Sequence, residues 1–189
     1  MFRRGFKAWC ENVSAQYRRD LDLRPFDPMD PVALANHLRV QLWNPNEVPG
    51  VAEEHLRILL SEDPDSWSAI TICVGNRSVI IVNSAHSRAR QASDIMHELA
   101  HIILAHNPAR MDVTEDGMMV LSNFDAAQEN EAAWLSGCLL LPRPALVAIL
   151  ASRLDGTAAA TRYGVSGEML QYRRNVTGVA NQFRKSRLG

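Results

Sequence analysis

Cysteine is scarce in this chain. Its three cysteines among 189 residues, Cys10, Cys73 and Cys138, are odd in number and form no C-x-x-C pair. That suits reduced thiols in a cytoplasmic protein, where they serve as small apolar fillers, better than a disulfide framework. An excess of one charge is also lacking: 20 basic against 21 acidic residues give a formal net charge of -1. No global field therefore draws the chain toward nucleic acid or a membrane surface. No window approaches the roughly 18 apolar residues of a membrane span. The start, MFRRGFKAWCENVSAQYRRD, is basic but no apolar run follows, so it does not read as a secretory leader. Repeats and low-complexity segments are missing as well. These absences leave an ordinary soluble chain, expected in the cytoplasm and with no membrane partner. Its 47% hydrophobic and 22% charged residues suit a core that needs no staples.

The pattern of apolar residues predicts a mixed architecture. Phe2, Phe6, Trp9, Val13 and Tyr17 recur at helical spacing over 2–19. DPVALANHL reads as a helix capped by Asp30 with Pro31 at its first position. WNPNEVPG reads as a loop and AEEHLRILLS as a short helix. AITICV and SVIIV, on either side of Gly75-Asn76, predict a β-hairpin. A helix follows from about His86–Arg90 to the stop at Asn107-Pro108. Residues 108–127 read as an irregular segment, and the acidic loop over 112–128 as either a gate over a cleft or, more simply, a solvated loop. AQENEAAWLSGCLLL predicts a helix ended by Pro142, and RPALVAILASRL another ended by Gly156. Two or three short helices make up the tail. The expected class is α+β. The expected division is an N-terminal helical region over 1–64, a core over 65–150 and a C-terminal helical segment over 151–189.

One stretch breaks the apolar logic. DIMHELAHIILAH reads as buried, yet it carries His97, Glu98 and His101. His97-Glu98-Leu99-Ala100-His101 is H-E-x-x-H. Residues four apart on a helix lie about 40° apart around the axis, so both imidazoles point to one side. Neutral imidazole is a good zinc ligand. Glu98, rotated by about 100°, cannot easily bind the same ion but can reach a water on it. Two His holding zinc and a Glu taking the proton from its water is the arrangement of a metalloprotease. Buried His and Glu are costly unless partnered, and a metal ion supplies the partner. The competing reading is an amphipathic helix with three unrelated polar residues.

A catalytic zinc usually has three protein ligands and a water. The pattern H-E-x-x-H-x-x-G-x-x-H fails, because Leu104 and Asn107 stand where Gly and His are needed. His106 is one position off and, on a continued helix, falls nearly opposite His97. The remaining source is a carboxylate from the later helix, Glu129 or Glu131. A helix delivering a short ligand must approach closely, which favours a stripe of small residues. Glu129 shares a stripe with Ala133, Ser136 and Gly137, so Glu129 is preferred and Glu131 is the alternative.

Taken together, VIIVN, Arg88-x-Arg90, HELAH and ENEAAWLSGCLLLP resemble the ImmA/IrrE family of bacterial metallopeptidases. That family carries E-x-E-A-N-x-F-A-A-x-L-L-M-P after its H-E-x-x-H. Glu129, Glu131, Ala132, Leu139, Leu140 and Pro142 match. Ala133 stands for the Asn, Leu135 for the Phe and Ser136-Gly137 for the Ala pair. The resemblance runs from about residue 70 onward. It implies a zincin-like fold, zinc held by His97, His101 and Glu129, and a catalytic Glu98. It also implies a protein substrate inside the cell, often a helix-turn-helix repressor or an antitoxin.

Peptide hydrolysis also needs a second donor for the oxyanion, for which His86, His106, Tyr163 and Tyr172 are candidates. AAATRYGVSGEMLQYRR looks like half of a helix-turn-helix, with Ser166 capping a helix that bears Arg173 and Arg174. A solvated basic face is the plainer reading of those arginines. Two other functions therefore compete with a zinc endopeptidase: a non-catalytic zincin-like regulator, and a DNA-binding regulator acting through the basic C-terminal helices.

Overall fold

The computed structural model describes residues 2–74, 77–106, 110–113, 119–122 and 125–181, with only the backbone for 74, 110–113 and 119–122. The chain opens with α1 (Phe6–Asp20), then α2 (Pro31–His37) and a short strand β1 (Gln41–Trp43). After α3 (Glu53–Arg57) and a single π turn come β2 (Ala69–Val74), β3 (Arg77–Val82) and α4 (Arg88–Ile103). Strands β4 (Arg110–Val113) and β5 (Met119–Ser122) precede α5 (Ala126–Leu140). The remaining helices are α6 (Arg143–Ala151), α7 (Gly156–Tyr163) and α8 (Gly167–Thr177). The α+β class holds.

Side-chain caps fix where most helices begin. Asp30 accepts from the Val32 amide at 2.9 Å, with Pro31 at the first position, as expected. Ser87 caps α4, Asp125 caps α5, Asp155 caps α7 and Ser166 caps α8. Each offers an oxygen to amides that have no partner within the helix. The first helix starts at Phe6 rather than Phe2. Phe2 uses its spacing to stack on Phe6, with ring centroids 5.1 Å apart, and to meet Trp134 edge-on.

Helix ends depart most from expectation. Asp22, Arg39, Ala105 and Arg153 all have positive φ of 52–58°. Each sits just past a helix, and the next amide reaches back to the helix: Leu23 to Arg18, Val40 to Ala35, His106 to His101 and Leu154 to Ile149. This is the closing turn usually made by glycine. An L-residue there costs roughly 1–2 kcal/mol. So α4 ends at Ile103, ahead of Asn107-Pro108, which lie outside the described residues. In the same way α6 ends at Ala151, and Gly156 opens α7 instead of closing α6.

The predicted hairpin forms: β2 and β3 pair antiparallel from Ala69↔Val82 to Val74↔Arg77. Its turn at Gly75 and Asn76 lies outside the described residues. The sheet has a third member. The order is β1-β3-β2, with β1 parallel to β3. Three residues are too few to show alternation in the sequence, and only the last of them, Trp43, falls in the expected loop WNPNEVPG. Segment 108–127 likewise holds the antiparallel pair β4-β5, where an irregular loop was expected. Any gating by its side chains lies outside the described residues.

Helix α5 is central. It packs against α4 on one side and α1 on another, and every residue from Trp134 to Leu140 is buried. Its last carbonyls, orphaned by the helix end, are met by buried side chains. Ser14 donates to the Cys138 carbonyl at 2.7 Å and Arg18 to that of Leu139 at 2.8 Å. Arg173 donates to the Leu141 carbonyl at 3.1 Å and to Glu11 at 2.8 Å. Cations at a helix C-terminus also suit its dipole. Arg173 is thus fully buried, not part of a solvated or DNA-facing basic surface as the sequence suggested. One hydrophobic cluster gathers Phe6, Leu34, Ile80, Leu99, Leu139 and Leu170, from all three stretches of the chain. Of the cysteines, Cys10 and Cys138 are buried fillers, whereas Cys73 is exposed. No single helix among the described residues is long and apolar enough to cross a membrane.

Candidate metal centre

Helix α4 divides its residues by face. Ile95, Met96, Leu99 and Ala100 are buried against the core. Each large one contributes on the order of 2 kcal/mol of burial, which pins the helix. That leaves His97, Glu98 and His101 half-buried, with the two imidazoles facing the first turn of α5. There Glu129 meets both imidazoles. His97 Nε2 lies 3.1 Å from Glu129 Oε2, and His101 Nε2 lies 3.5 Å from Glu129 Oε1. The two Nε2 atoms are 3.1 Å apart. All three donor atoms fall within 4.8 Å of one another.

These separations suit a cation. An ion holding tetrahedral ligands at 2.0–2.1 Å keeps them about 3.3 Å apart. Two imidazole nitrogens and a carboxylate converging on one point share too few protons to satisfy one another, and a divalent ion satisfies all three. Burial, then the neighbouring His97, holds the His101 imidazole below its ordinary pKa, which favours the neutral form with a lone pair to give. The group stays accessible, with side chains 30%, 20% and 40% exposed for His97, His101 and Glu129. Among the described residues it has three members, the number of protein ligands usual at a catalytic zinc.

Glu131 does not join the group. Its carboxylate lies 3.5 Å from Nε2 of His106. The packing rationale for preferring Glu129 does not hold, however. Ala133 is exposed, and Gly137 faces α8, where a Cβ would come within 2.9 Å of Arg173 Cδ. It is the cap at Asp125 and the docking of α5 on α4 that set Glu129 facing the histidines.

Glu98 is half-buried beside the group. Burial raises its carboxyl pKa above the ordinary value, and a hydrogen bond from Thr71 Oγ1, on β2, pulls the other way. Thr71 has no signature in the sequence, because a threonine in a strand carries no signal of what it faces. The oxyanion candidates fare differently. His86 is buried with its ring nitrogens against the Pro64 carbonyl, at 3.0 Å, and Asp94, at 3.4 Å. Tyr163 donates to the Phe26 carbonyl at 2.7 Å. His106 faces His101 and Glu131. Tyr172 is half-exposed on α8. The first three are committed elsewhere.

A family model, the IrrE N-terminal-like domain of a peptidase family, matches residues 54–175. The chain belongs to that family. The match spans β2, β3, α4 and α5, and so the whole candidate centre. The IrrE-like chain also superposes on a solved structure of a Mycobacterium tuberculosis transcriptional regulator. The TM-score is 0.51 at 16% identity, over 91% of this chain and 47% of that one. At that identity the likeness concerns the fold, and the chain spans about half of the regulator's length. No curated protein matches the sequence.

Proposed function

We propose that the chain is a zinc-dependent endopeptidase of the cytoplasm that cuts a regulatory protein, such as a helix-turn-helix repressor or an antitoxin. The observation that carries this reading is the convergence of His97, His101 and Glu129 within 4.8 Å, with Glu98 next to His97 on α4. His97, His101 and Glu129 would hold the metal. When bound, zinc supplies a Lewis acid that polarises the scissile carbonyl and acidifies water. Glu98 accepts the proton of the attacking water and delivers it to the leaving amine. Its raised pKa suits a group that must take a proton and then release it. Thr71 holds the carboxylate in place for both steps.

Strand β2 pairs only with β3 among the described residues, and its Thr71 touches Glu98. Its outer edge runs past the centre, so an extended substrate can add to it as a further strand. A purely structural site has no use for Glu98, which favours catalysis over a non-catalytic regulator. The buried Arg173 removes one of the two cations on which the DNA-binding alternative depended.

The test is a cleavage screen of repressors and antitoxins encoded beside this gene, using zinc-loaded wild type and Glu98→Gln. Products from wild type alone, identified by mass spectrometry, are expected. Equal cleavage by the Gln variant would refute the role given to Glu98.

A further inference from the structure

The turn that ends α4 places a second histidine behind the first. Ala105 takes positive φ, and the His106 amide bonds the His101 carbonyl at 3.0 Å. The chain thus folds back, and His106 Nδ1 lies 3.0 Å from His101 Nδ1. This is the far edge of the ring, away from the Nε2 that faces His97 and Glu129. His106 is almost enclosed, with a side chain 8% exposed, and its Nε2 points at Glu131.

We infer that His106 and Glu131 form a positioning pair that sets the tautomer and ring orientation of His101. The inference rests on the reading of His97, His101 and Glu129 as the metal site. Proton counting supports it. His101 must present an unprotonated Nε2, so its proton is on Nδ1. That N–H donates to His106 Nδ1, which must then carry its own proton on Nε2. The His106 Nε2–H donates to the Glu131 carboxylate. Every polar atom in this chain has one partner of the right kind. Reversing the direction would put the His101 proton on Nε2, aimed at the His97 ring. Partners behind a metal-binding imidazole fix its orientation and raise its basicity.

The experiment measures zinc affinity of the full chain by competition with a chromophoric chelator. The variants are His106→Phe, His106→Gln and Glu131→Leu, with circular dichroism as the check on folding. Phenylalanine fills the space but accepts nothing, and zinc should bind about 10–100-fold more weakly. Glutamine can accept from His101 and donate to Glu131, so affinity should return to within about threefold of wild type. Glu131→Leu should weaken binding by a smaller factor. Imidazole nitrogen NMR of the zinc-loaded wild type should show His101 protonated at Nδ1 and His106 at Nε2. That measurement decides the matter should His106→Phe fail to fold. Zinc binding unchanged in His106→Phe, or a His106 proton on Nδ1, would overturn the inference and leave the metal site standing. A wild type that takes up no zinc would overturn both.

Discussion

The proposed role of Glu98 and the stability of the fold pull in opposite directions on one side chain. Burial raises the Glu98 pKa, so the folded state prefers the neutral carboxyl. Its contribution to stability is therefore full below the unfolded pKa and lost as pH rises through the folded one. Glu98→Gln removes that loss. In metal-free protein, thermal midpoints of wild type and Glu98→Gln should separate as pH rises from acid to neutral, with the variant the more stable. Parallel midpoints would contradict the burial cost. With metal restored, the same variant should lose at least about 100-fold in cleavage rate, the scale of general acid–base catalysis. Thr71→Val tests the neighbouring contact. Without that donor the Glu98 pKa should climb further, and the acid limb of the pH–rate profile should move to higher pH. An unmoved limb would leave Thr71 no positioning role. His97, Glu98 and His101 were legible in the sequence because their relation is local, two residues one turn apart with a third between them. Thr71, 27 positions away, and Glu131 behind His106 meet the site only through tertiary packing, for which the sequence has no spacing rule.

Helix boundaries divide the legible from the illegible in the same way. Starts were readable because Asp30 and Ser166 announce themselves as caps, and both act as caps in the fold. Ends were not, because Asp22, Arg39, Ala105 and Arg153 occupy a conformation usually marked by glycine. Gly and Pro as stop signals point to Asn107-Pro108 for α4 and to Gly156 for α6, whereas the helices end at Ile103 and Ala151, short of His106. Strands β1, β4 and β5, of three and four residues, were too short to alternate visibly. The strained ends can be relaxed. Arg153 is exposed and far from the metal centre in sequence, so Arg153→Gly should raise stability by about 0.5–1 kcal/mol in chemical denaturation. No gain would mean that the turn costs nothing.

Beyond single helices, the fold is secured where α1 and α8 grip the end of α5, at the opposite end of that helix from Glu129. Arg173 is buried with Glu11 as its anionic partner, and Glu11 also accepts from the Arg143 amide at 2.9 Å. Glu11→Gln leaves a buried cation uncompensated and should cost about 3 kcal/mol in urea unfolding, while zinc affinity at the far end of α5 stays near wild type. Composition and periodicity conveyed the α+β class and the hairpin. They did not convey this grip, and they misassigned Arg173 to the surface, since a lone arginine reads as solvated until its partner is known. The most direct measurement is metal content of purified protein and its variants by mass spectrometry. One zinc per chain is expected for wild type, Glu98→Gln and Glu131→Leu, and a loss of zinc for His97→Ala, His101→Ala and Glu129→Ala. Zinc retained in Glu129→Ala but lost in Glu131→Leu, or absent from wild type, would contradict the account.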